Sequence, residues 1–85
     1  MRLQLAAILS VLLAVPAAAQ PCGERVAFVR GVIDRDLKTG FIGKDVYAKM
    51  SKDLDGAQAI CQSGQDARAQ LIISSTQSRH GYPVR

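Results

Sequence analysis

The chain has 85 residues, two cysteines, one histidine and a net charge of +4, from eleven Lys/Arg against seven Asp/Glu. That length permits one small domain. The basic residues are dispersed among acids, as in Asp34-Arg35-Asp36 and Lys52-Asp53, and aromatics are sparse, so the clustered basic face of a nucleic-acid binder is excluded.

The N-terminus has a three-part layout. Arg2 gives a short positive start, Leu5 to Val15 runs without a charge, Pro16 breaks the run, and Ala17-Ala18-Ala19 supplies small side chains of the kind accepted at a cleavage site. This is the pattern of a secretory signal peptide. Its apolar run of about 11 residues is short of the roughly 20 that a membrane-spanning helix needs, so cleavage is expected rather than retention as an anchor. Cleavage after Ala19 would start the mature chain at Gln20. Cys22 follows Gln20-Pro21, which is unlike the small-residue box of a lipoprotein.

The expected organisation is therefore a signal peptide over 1–19 and a single helical domain over 20–85, periplasmic or secreted, with no stable membrane insertion after cleavage. Removing residues 1–19 from 85 leaves 66, and without Arg2 ten basic residues stand against seven acidic ones. A domain of that size buries only about 60% of its unfolded surface and often needs a covalent staple.

Cys22, Val26, Val29, Ile33 and Leu37 recur at steps of three and four, which predicts a first helix from about Cys22 to Leu37. Phe28 and Val32 widen its apolar face, and Gly31 falls opposite the stripe. Lys38 to Gly43 is the connection, with Gly40 placed to end the helix in a left-handed conformation. Phe41 and Ile42 are expected to fold back onto the core.

Tyr47, Met50, Leu54, Ala57 and Cys61 form a narrow seam on a second helix, about Lys44 to Gln62. Asp45 near its start suits the helix dipole. Asp55-Gly56 is a weak point of this helix, and the sequence leaves open whether the helix is continuous there or kinks and restarts. Asp53 and Asp55 lack the other ligands of a calcium loop and read as solvated.

Ser63-Gly64 ends that helix, and Gln65 to Ser78 reads as a third, with Ala67, Leu71 and Ser74 on one line and Ala69, Ile72, Ile73 and Thr76 spread around the rest. A strand through Leu71-Ile72-Ile73 is the alternative. Gly81 can cap the third helix and Pro83 prevents its continuation.

An even cysteine count in an oxidising compartment predicts a Cys22–Cys61 disulfide. If the first two helices run antiparallel, the bridge staples the open end of the hairpin. The loop of about 40 residues corresponds to roughly 4 kcal/mol in the chain-entropy model. The fold class predicted is all-α, a helical hairpin plus a third helix stapled by one disulfide.

No catalytic constellation is present. There is no phosphate-binding glycine loop, no Cys-x-x-Cys redox pair, and too few ligands for zinc, so no cofactor, metal or catalytic residue is expected. Arg79, His80, Tyr82 and Pro83 form the most distinctive cluster and are the candidate interaction tip. The competing reading of that cluster is a capped helix end with Tyr82 folded onto the core.

Ala59-Ile60-Cys61-Gln62-Ser63-Gly64, then Ala67, Ala69 and Ser78-Arg79-His80-Gly81-Tyr82-Pro83, resembles the C-terminal half of short exported alphaproteobacterial proteins of uncharacterised activity. That resemblance implies a periplasmic address and no activity. The outline of signal peptide, helical domain and one long-range disulfide is also similar in architecture to the HdeA-type acid-stress chaperones, which are longer and richer in titrating acids. The expected function is a non-enzymatic protein-interaction or stress-associated module with a periplasmic protein partner. The alternatives are a basic binder of anionic lipid or cell-wall polymer and, third, a small enzyme built around His80.

Overall fold

The computed structural model describes residues 21–84, which form three helices and no strand: α1 Cys22–Thr39, α2 Lys44–Gln62 and α3 Asp66–Arg79. The expected signal peptide over 1–19 lies outside the described residues. Each helix starts near a carboxylate, Glu24, Asp45 and Asp66, and α1 and α3 end near Lys38 and Arg79. These charges complement the helix dipoles.

All three helices stop in the same hydrogen-bonded turn. The Gly40 N–H bonds Leu37 O at 3.2 Å while the Phe41 N–H bonds Asp36 O at 2.8 Å. The Gly64 and Gln65 N–H groups repeat the pattern to Cys61 and Ile60, and those of Gly81 and Tyr82 to Ser78 and Gln77. This double closure is the Schellman motif. Gly40 at φ 80° and Gly81 at φ 81° occupy the left-handed region that a Cβ disfavours. The turn at Gly81 sets the direction in which Tyr82 leaves α3.

The topology is up-down-up. Cys22 at the start of α1 is bridged to Cys61 at the end of α2, with Cα atoms 6.0 Å apart, so these helices are antiparallel. Tyr82, just past α3, meets Asp36 near the end of α1, so α1 and α3 run in the same direction. The disulfide staples the end of the hairpin opposite the Gly40–Gly43 turn, as the cysteine positions predict. Asp66 Oδ1 lies 3.3 Å from Cys22 Sγ. A disulfide sulfur carries no proton, so this is a packing contact and not a hydrogen bond.

The core is Cys22, Val26, Val29 and Ile33 from α1, Met50, Leu54 and Ala57 from α2, and Ala69 and Ile73 from α3. The α1 and α2 stripes are those read from the sequence, except that Phe28, expected to widen the α1 face, is 67% exposed. Three further points concern the first connection, α2 and α3. Phe41 is 75% exposed, and only Ile42 folds back onto the core. Helix α2 runs unbroken through Asp55-Gly56, because exposed Gly56 perturbs no packing and the flanking Leu54 and Ala57 are both fully buried. In α3 the inward line is Ala69, Ile73 and Thr76, while Ala67 is exposed and Leu71 is 72% exposed. The strand alternative for residues 71–73 does not form.

The reading of Asp53 as a solvated residue is corrected, whereas Asp55 is solvated as expected. Asp53 Oδ2 accepts from the buried Thr76 hydroxyl at 2.8 Å, which satisfies a polar group that would otherwise be costly to bury. Asp55 remains exposed but pairs with Arg30 across α1 and α2.

Candidate functional site

Polar side chains knit the helices along the outside of the core. Arg25, in the first turns of α1, donates to Gln70, to Ser74 Oγ at 3.1 Å and to Gln77 Oε1 at 2.9 Å, spanning two turns of α3. All three acceptors are uncharged. Tyr47 donates to Asp34 Oδ1 at 2.6 Å between α2 and α1, and that bond, followed by burial, raises the phenol above its ordinary pKa.

The expected interaction tip divides. Tyr82 is half-buried, packs on the core and donates to Asp36 Oδ2 at 2.6 Å. Burial first and that bond second push its pKa up to about 12. Tyr82 is therefore drawn onto α1 rather than displayed. His80 is half-buried at the end of α3, where its Nε2 is shielded and has no hydrogen-bond partner among the described residues. Pro83 is exposed. Arg79 turns to the opposite side, toward α2, where it donates to Asp53 Oδ2 at 3.2 Å and to Ser75 Oγ at 3.1 Å.

Arg79 closes one end of a groove between α2 and α3 with a volume of about 500 Å³. Lys52, Asp53 and Gly56 form its α2 wall. Helix α3 adds Arg68, Leu71, Ile72 and Ser75 to Arg79. Leu71 and Ile72 make an apolar middle. Gly56 leaves the α2 wall without a side chain, and a Cβ built there would meet nothing within 4 Å. Three cations surround this surface, and the single carboxylate, Asp53, already accepts from Thr76 and Arg79.

Residue-by-residue reading of the sequence did not find this groove. Its one available signal was Leu71, a large aliphatic residue off the α3 core line and set between Arg68 and Arg79. Among the described residues no group of three His, Cys, Asp or Glu side chains could hold a metal ion, and no helix is long and apolar enough to cross a membrane. No protein family, curated protein or solved structure matches the chain.

Proposed function

We propose that this chain is a non-enzymatic binding module of the exported compartment, and that it contacts a protein partner through the α2–α3 groove. The observation that carries the reading is Leu71, 72% exposed beside Ile72 in a concave surface of about 500 Å³. Scattered exposed apolar residues need no explanation, but one set in a groove with a charged rim has the anatomy of a contact site. The leader sequence and the Cys22–Cys61 bridge support the address, since such bridges persist in oxidising compartments.

A photoreactive residue in place of Leu71 tests the contact in intact cells. The expected result is a discrete crosslinked adduct at position 71 and none at exposed Ala27 on α1. Equal labelling at both positions, or none at 71, would sink the reading. The address is tested separately: the mature N-terminus should be Gln20.

The three cations at the groove also favour a second reading, attraction to an anionic lipid or polymer surface. Such binding would weaken steeply with salt and would show little dependence on the shape of the groove.

A further inference from the structure

The rim of the groove has a charge pattern that specifies more than a contact. Arg68 and Arg79 stand eleven residues apart on α3, in its first and last turns. At 3.6 residues and 5.4 Å per turn, that is about three turns, so both project from one side of the helix roughly 16 Å apart. Between them lie Leu71 and Ile72. Lys52 is the one cation of the α2 wall, and Asp53 beside it pairs with Arg79, so the end formed by Lys52, Asp53 and Arg79 keeps one net positive charge. The groove therefore has an apolar centre with positive charge toward both ends.

We infer that the occupant is an amphipathic helix of the partner whose apolar stripe is flanked by acidic side chains about eleven positions apart. This rests on the reading of the groove as a protein-contact face and adds the chemistry of the partner. A trough between two antiparallel helices is the surface into which a further helix packs, ridges into grooves. Acids separated by about three turns fall on one face of the incoming helix and reach both cationic ends. A single-headed anionic amphiphile would match one end and leave the other unpaired.

Gly56 gives an independent handle. It lies inside α2, where glycine disfavours the helix relative to alanine, and its missing side chain keeps the α2 wall open. A leucine there would project into the groove without meeting the core, so Gly56→Leu should block binding while leaving the fold intact.

The probe is a fluorescent helical peptide long enough to span α3, with leucines at three- and four-residue steps and two glutamates eleven apart. A second peptide carries lysines in place of those glutamates. Fluorescence anisotropy with the oxidised protein should give saturable binding of the glutamate peptide. Binding of the lysine peptide should be at least about tenfold weaker, since like charges juxtaposed at an interface are strongly disfavoured. Arg68→Glu should lower affinity for the glutamate peptide by a similar factor, and Gly56→Leu should abolish binding with no fall in melting temperature.

Equal affinity for the two peptides, or binding indifferent to Gly56→Leu, overturns the inference. So does binding of phosphatidylglycerol vesicles, but not of the peptide, with the same dependence on Gly56 and Arg68; the occupant is then a lipid. The cellular adduct at position 71 separates the two levels. If it forms and persists in Arg68→Glu, the charge pattern alone is wrong; if it never forms, the protein-contact reading falls as well.

Discussion

The phenol of Tyr82 donates to Asp36 Oδ2 at 2.6 Å, joining the segment after α3 to the last turns of α1. The two residues are 46 positions apart, and the contact exists only because α1 and α3 run in the same direction. It closes the end of the bundle opposite the disulfide. Tyr82→Phe keeps the ring on the core and removes the donor, so it should cost about 1–2 kcal/mol in denaturant unfolding. In a double-mutant cycle with Asp36→Ala, the two losses should fall short of additivity by about 1 kcal/mol. Fully additive losses would mean that the bond contributes nothing.

The same clasp makes the protein sensitive to alkali. An ordinary tyrosine ionises near 10, whereas Tyr82 in the fold is pushed up to about 12, and Tyr47 is raised as well. Between those values the unfolded chain releases a phenolic proton that the folded chain still holds. The folded state then binds more protons, so stability falls as pH rises. The contribution is fully present below about pH 10 and is lost through about pH 12. Urea midpoints measured across that window should fall more steeply for the wild type than for Tyr82→Phe. Parallel slopes would remove Tyr82 as the titrating group.

Reduction of Cys22–Cys61 should be the largest single perturbation. The bridged residues are 39 positions apart, and the chain-entropy model assigns a loop of that size roughly 4 kcal/mol. Small domains often have a total stability of about 5 kcal/mol or a little more. At about 4–8 °C per kcal/mol for a domain of this size, the melting temperature should drop by at least about 15 °C under reductant. An unchanged melt would show that helix packing suffices without the staple.

The α1 and α2 stripes were legible because their core lines consist of aliphatic side chains and cysteine at helical spacing, from Cys22 to Ile33 and from Met50 to Ala57. The cysteines were legible for a related reason, since they fall at the two helix ends that an antiparallel hairpin brings together. Other features depend on which helices become neighbours. Arg25 reaches Ser74 and Gln77 across 49 and 52 positions, and nothing local to Arg25 announces those acceptors. The groove needs α2 and α3 side by side before Gly56 reads as an opening rather than a weak point. Tyr82 was visible as a distinctive residue, but its direction depends on the turn at Gly81 and on the position of Asp36.

The sequence leaves the inward face of α3 open, and its register can be tested directly. Apolarity alone favours Leu71 as the inward residue, yet the buried line is Ala69, Ile73 and Thr76. The line includes a threonine because its hydroxyl donates a hydrogen bond to Asp53 Oδ2 on α2 at 2.8 Å, so a polar residue fills a core position without an unmet hydrogen bond. Leu71 is thereby released to the groove. Leu71→Ala should change stability by no more than about 0.5 kcal/mol, as for an exposed site. Ile73→Ala, at a fully buried position, should cost about 2–5 kcal/mol. Thr76→Val keeps the shape but leaves Asp53 short of one donor, which should cost about 1 kcal/mol. Denaturant unfolding of the three variants decides the register. If Leu71→Ala proves as damaging as Ile73→Ala, α3 is rotated about its axis, and the groove between α2 and α3 loses its apolar centre.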